Sequence, residues 1–169
     1  MQLTHYNSKF NKHQFPIILV CDEVTNAPNI GSLFRIADAF GVEKLILCGE
    51  NVQLSRKIKK TSRATEKIVP YQIETNIVNV LTDLKKQNYH IIALEITSRS
   101  SAIQSHRFSL KKPIAVVVGN ENEGVSDAAL KVSDTILHID MFGENSSMNV
   151  VQAANIALYE ITKQLLKFP

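Results

Sequence analysis

The sequence predicts an α/β fold, a mostly parallel sheet with helices on both faces, and three features lead there. Short apolar runs rich in β-branched residues recur along the chain, segments of helical period separate them, and the runs are continuously apolar rather than alternating. A strand covered on one face alternates apolar with polar. Unbroken runs therefore call for a sheet covered on both faces, as parallel βαβ units provide.

In chain order, the runs are Ile17 to Cys21, Leu45 to Cys48, a weaker one at Ile68 to Tyr71, Ile91 to Leu94, Ile114 to Val118 and Ile136 to Ile139. After the first run, Leu33, Phe34, Ala37 and Phe40 share a helical face; before Ile91, so do Ile77, Val80, Leu81 and Leu84. The last helix is expected over Met148 to Leu166. Val150, Val151, Ala153, Ala154, Ile156, Ala157 and Leu158 leave its first half little polar face, so it should be buried nearly all round. It could run through the centre of one chain or pack partly against a second copy. No linker interrupts the pattern, so residues 1–169 read as a single domain, with residues 1–15 as an N-terminal arm carrying Tyr6, Phe10 and Phe15.

With 169 residues, 44% apolar and 21% charged, the chain is long enough for one core. Folding should bury roughly 70% of the extended chain's surface, so neither a disulfide nor a structural metal is needed. Cys21 and Cys48 each end an apolar run, where a reduced thiol behaves as a small apolar group, and no Cys/His spacing suggests a metal. The first fifteen residues hold no apolar targeting core, and no run approaches the ~20 residues of a membrane span. A soluble, cytoplasmic protein is expected. The net charge of +3 says little, but Arg56, Lys57, Lys59, Lys60, Arg63 and Lys67 cluster around a single acid, Glu66. Such a stretch is either a solvated helix face or a track for a phosphate backbone.

Ligands of open parallel sheets gather beyond the carboxyl ends of the strands, which directs attention to three loops. Asn26-Ala27-Pro28-Asn29-Ile30-Gly31 opens a helix bearing Ser32, Arg35 and Asp38; Asn29 could cap it, and Arg35 could pair with Asp38. Gly119-Asn120-Glu121-Asn122-Glu123-Gly124 lacks the Lys and Ser/Thr of a phosphate loop, and its carboxylates would repel phosphate, so a ligand without phosphates suits it better. Ile139 to Asn149 runs from a strand into the apolar last helix; Ser147 or Asn149 could cap that helix, or serve a ligand.

Together the loops resemble the three ordered motifs of the SpoU (TrmH-like) class of SPOUT RNA methyltransferases, over about Ile17 to Leu165. N-x-G-x-x-x-R reads Asn29, Gly31 and Arg35; G-x-E-x-x-G reads Gly119, Glu121 and Gly124. The third, usually I-P-M-x-G followed by S-L-N-V, reads Ile139, Met141 and Gly143, then Ser147, Met148, Asn149 and Val150. The chain departs from the pattern at Asp140 for proline, Met148 for leucine, Val151 for a frequent serine, and Arg63-Ala64 where relatives often carry a small residue and glycine.

The resemblance implies a C-terminal trefoil knot, against the general rarity of knots. It also implies a homodimer through the first and last helices, with each site completed by the partner. S-adenosyl-L-methionine is the implied cofactor, held near Leu94, Gly119, Asn120, Gly124, Ile139, Met141, Ser147 and Met148. The implied product is 2′-O-methylribose in RNA, with Arg35, Asn29, Glu121, Ser147 and Asn149 as the catalytic set. A guanidinium with a pKa above about 12 is a reluctant base, so Arg35 is better suited to hold the phosphate beside the target ribose, with Glu121 as the alternative proton acceptor. Arg56, Lys57, Lys60 and Arg63 would contact the RNA. Transfer RNA is favoured over ribosomal RNA because no RNA-binding domain is appended. A non-catalytic RNA-binding protein of the same fold and a flavodoxin-like nucleotide binder are the readings of other classes.

Overall fold

The computed structural model describes residues 10–50, 52–109 and 111–167. Seven strands, β1 (Phe15–Asp22), β2 (Val42–Cys48), β3 (Tyr71–Glu74), β4 (His90–Leu94), β5 (Ser101–Ala102), β6 (Ile114–Val118) and β7 (Thr135–His138), form one sheet in the order β3-β2-β1-β6-β4-β7-β5. Every pairing is parallel. The helices are α1 (Ala27–Ala39), α2 (Arg56–Ser62), α3 (Ile77–Lys86), α4 (Asp127–Val132) and α5 (Val150–Lys167).

The continuous apolar runs are buried on both faces. From β1, Ile17, Leu19 and Cys21 join Leu33, Phe34, Ile58, Leu158 and Ile161 in a core under α1, α2 and α5. Ile18 and Val20 face the other way, into a core with Leu81, Leu84 and Ala129 from α3 and α4. Phe34 and Leu137 are fully buried; truncating such a side chain to alanine costs about 2–5 kcal/mol. Cys21 and Cys48 are buried, unpaired thiols. Burial, reinforced by neighbouring acidic groups, raises both, with Cys48 pushed up to about 12, as suits packing rather than reactivity.

Several expectations need correction. The weak run at Ile68 to Tyr71 is mostly not strand: Pro70 separates Ile68 and Val69 from β3, whose four residues are all exposed at the sheet edge. The cap of α1 is Asn26, whose side chain accepts from the Asn29 N–H, so the Asn29 side chain is left for other partners. Among the described residues Arg35 and Asp38 form no ion pair. Within one chain α5 is not buried all round: it lies on the sheet rather than running through the centre, and leaves Gln152, Asn155, Ile156 and Tyr159 exposed. Of the aromatic residues given to the N-terminal arm, Tyr6 lies outside the described residues, Phe10 is exposed and Phe15 begins β1. Among the described residues no helix is long and apolar enough to cross a membrane, and no group of three or more His, Cys, Asp or Glu side chains is arranged to hold a metal.

Candidate active site

The loops after β1, β6, β4 and β7 leave the same end of four adjacent central strands. Between three of them, those after β6, β4 and β7, lies a cavity of about 410 Å³, within the range of small-molecule sites. All eight residues expected around a cofactor line it: Leu94, Gly119, Asn120, Gly124, Ile139, Met141, Ser147 and Met148. Leu94, Ile139, Met141, Met148 and Val150 give it apolar wall, Glu95, Glu121 and Glu123 give it carboxylates, and among the described residues neither Lys nor Arg lines it.

Close backbone approach makes its glycines necessary. A Cβ on Gly119 would overlap the Gly124 carbonyl carbon and the Val125 nitrogen, and Gly124 has a φ of 71° with Glu95 pressed against it. The loop closes on itself through reciprocal 2.9 Å bonds between the Asn120 and Gly124 backbones. Asn120 Nδ2 donates to the Glu23 carbonyl at 2.7 Å, while its Oδ1 accepts from Asn122 N at 2.8 Å. Its side chain thus shapes the loop. Glu95, which the sequence reading missed, accepts from the backbones of Ile96 at 2.8 Å and Val125 at 2.9 Å, tying the β4 and β6 loops together. His138 was also missed. A residue that ends a strand without belonging to a motif gives no sequence signal beyond its position.

Beside the cavity, the motifs meet through side chains. Asn29 Nδ2 donates to Glu121 Oε1 at 2.9 Å, and Asn149 Nδ2 donates to Asn29 Oδ1 at 3.2 Å. Glu121 also accepts from the Asn26 N–H at 3.1 Å and the Thr25 N–H at 3.3 Å. Burial pushes this carboxyl up, but its hydrogen bonds, led by that from Asn29, outweigh burial and hold it below the ordinary range. Asn149 Oδ1 accepts from Val151 N at 2.8 Å, so this residue both starts α5 and reaches Asn29, which in turn holds Glu121. The exposed Ser147 lines the cavity and makes no hydrogen bond within the described residues. Arg35 is exposed on α1 and is not part of the cavity wall.

The glycine of the first motif has a packing role. A Cβ on Gly31 would lie 2.7 Å from the Ile58 carbonyl and 2.7 Å from Thr61 Cβ, so its absence lets α2 sit directly against α1. On α2 and just after it, Arg56, Lys57, Lys59, Lys60, Arg63 and Lys67 are exposed, whereas the one acid of the stretch, Glu66, is buried in a hydrogen bond from Ser62.

Residues 16–159 match the SpoU rRNA Methylase family. The chain belongs to that family. Among curated relatives, the 23S rRNA (guanosine-2'-O-)-methyltransferase RlmB of Ralstonia nicotianae is 31% identical over 150 residues, covering 88% of this chain and 59% of the relative. The chain spans about three fifths of the length of such relatives. The crystal structure of the A. aeolicus TrmH/SpoU tRNA modifying enzyme superposes with a TM-score of 0.81 at 29% identity, over 90% of this chain and 77% of that one. The SpoU methyltransferase AviRb of Streptomyces viridochromogenes, solved in complex with AdoMet, gives 0.79 at 25% identity, over 89% of this chain and 60% of that one. The seven-stranded parallel sheet with helices on both faces is thus the SpoU fold expected from the motifs.

Proposed function

We propose that this SpoU-family chain methylates a ribose 2′-hydroxyl in RNA, using S-adenosyl-L-methionine held in the cavity beside Asn29, Glu121 and Asn149. The observation that carries the reading is the character of that cavity: apolar walls for an adenine, backbone at two glycines along its lining, carboxylates to favour a cation and, among the described residues, no Lys or Arg to bind a phosphate. When bound, the cofactor supplies an electrophilic methyl group on a cationic sulfur.

The chain's own residues position the acceptor. Glu121, ionised and already accepting three hydrogen bonds, is a weak proton acceptor; its part is to hold Asn29. Asn29 and Asn149 orient one another, and each keeps hydrogen-bonding capacity for a ribose hydroxyl. Ser147 adds a free hydroxyl at the cavity wall. Arg35 grips the phosphate beside the target ribose and stabilises the developing alkoxide, the hydroxyl proton passes to solvent water, and alignment of the bound reactants lowers the barrier by several kcal/mol, up to about 11 in favourable cases.

Arg35 would reach this site from a second copy of the chain, in a homodimer built on α1 and α5. Supporting this, α1 packs against α5, Arg35 lies off its own chain's cavity wall, and α5 exposes Ile156, Tyr159 and Leu166. The implied C-terminal knot belongs to the same proposal, supported by β7 entering the sheet between β4 and β5. RNA would lie over Arg56, Lys57, Lys60 and Arg63, whose exposed charges Glu66 does not reach. Buried, unpaired thiols suit the cytoplasm.

The deciding experiment is transfer of labelled methyl from S-adenosyl-L-methionine to separated transfer and ribosomal RNA pools, with nuclease mapping of the labelled nucleotide. Label on a ribose oxygen supports the reading, and the labelled pool names the substrate. Label only on bases, or none in either pool, rejects it.

A further inference from the structure

The β7 side of the cavity is a wall with few anchors. Met141, Ser146, Ser147 and Met148 line the cavity, yet among the described residues no hydrogen bond within the chain engages residues 141–148. Phe142 is 94% exposed and Gly143 has no atom near the place of a Cβ. The segment therefore hangs between Asn149 at one end and Asp140 at the other.

At the Asp140 end, side chains do what the backbone does only briefly, since β5 and β7 pair at just Ser101 with Leu137 and Ala102 with His138. Asp140 Oδ2 accepts from Gln104 Nε2, and Oδ1 lies 3.2 Å from His138 Nε2. His138 lines the cavity and places Nδ1 2.9 Å from Ser100 Oγ. Ser100 Oγ in turn donates to the Thr97 carbonyl at 2.8 Å and accepts from the Thr97 N–H at 2.9 Å. The cluster joins the loop after β4, the turn after β5 and the loop after β7. Position 140 is also where the sequence departs from the third motif.

We propose that Asp140 is a positioning residue for the cofactor: by holding Gln104 and His138 it fixes the near end of the 141–148 wall in its binding shape. The proposal rests on the reading of the cavity as the S-adenosyl-L-methionine site. Without the carboxylate the wall would have to be ordered by the ligand, and that ordering is subtracted from affinity.

The test uses the full chain, with calorimetric titration of S-adenosyl-L-methionine, steady-state kinetics and amide hydrogen exchange. Asp140→Ala should raise the cofactor Kd about tenfold, as expected for loss of one hydrogen-bonded charged anchor. The loss should fall on KM for the cofactor rather than on kcat, and unliganded exchange should quicken within 141–148. Asp140→Asn, which keeps an acceptor oxygen, should recover most of the affinity, as a residue needed only for folding would not. An Asp140→Ala protein with wild-type Kd and wild-type exchange overturns the proposal, as does faster exchange spread evenly through β7 and α5. If the wild-type chain fails to bind the cofactor, the cofactor reading falls, and exchange within 141–148 still decides whether Asp140 anchors the wall.

Discussion

The cavity and the α1 surface that carries Arg35 are built by opposite means. Around the cavity, backbone meets backbone, the glycines admit no side chain, and Glu95 and Glu121 tie neighbouring loops together. Arg35 stands on the exposed face of α1 with no ion pair among the described residues. One region is braced by contacts within the chain on its β4 and β6 sides; the other offers a charge with no ion-pair partner among the described residues. Under the proposed function, the pocket for the methyl donor is shaped before its ligand arrives, whereas Arg35 would gain its geometry when the RNA and a second copy are in place.

The sharpest way to break this contrast is Gly119→Ala. Its Cβ has no room against the Gly124 and Val125 backbone, and overpacking of up to about 3 kcal/mol would weaken cofactor binding on the order of 100-fold in calorimetry. Arg35→Lys should do the reverse, leaving cofactor Kd unchanged while single-turnover methyl transfer falls on the order of 100-fold, because an ammonium cannot reproduce the planar fork. Mixing inactive Gly119→Ala with inactive Arg35→Ala protein should restore transfer if Arg35 serves the partner's cavity; continued inactivity in demonstrably mixed dimers would place both residues in one chain's site.

Glu121→Gln tests the link between the regions. It should cost about 1–2 kcal/mol in denaturant unfolding at neutral pH by weakening the bonds to Asn29, Asn26 and Thr25. Because folding lowers the pKa of this carboxyl, its contribution is present above the unfolded value and is lost as pH falls through the folded one. The difference between wild type and variant should therefore shrink below about pH 4. The smallest effect belongs to a position outside the cavity wall: Ala64 has a φ of 69°, in the left-handed region. Ala64→Gly should stabilise the fold by about 1 kcal/mol with unchanged cofactor affinity.

Most of the fold was legible because a sheet buried on both faces leaves unbroken apolar runs, and Ile114 to Val118 matches its strand end for end. The edge was not: β3 is wholly exposed and β5 is two residues long, so neither carries an apolar signature. The cavity residues were legible through motif order, whereas Glu95 and His138 owe their places to register across β4, β7 and the neighbouring loops. A count of apolar residues could not show which face of α5 meets the sheet, nor that Ile156 and Tyr159 stay exposed within one chain. Nor could spacing alone tell that Asn26, rather than Asn29, caps α1, since both precede the helical period by a suitable interval.

The most direct measurement is calorimetric titration of the wild-type chain with S-adenosyl-L-methionine, run beside Gly119→Ala. Saturable binding of one molecule per chain, strongly weakened by the added methyl group, is the expected result. No binding to the wild type, or binding that Gly119→Ala leaves intact, would show that the cavity between the β4, β6 and β7 loops is not the donor site.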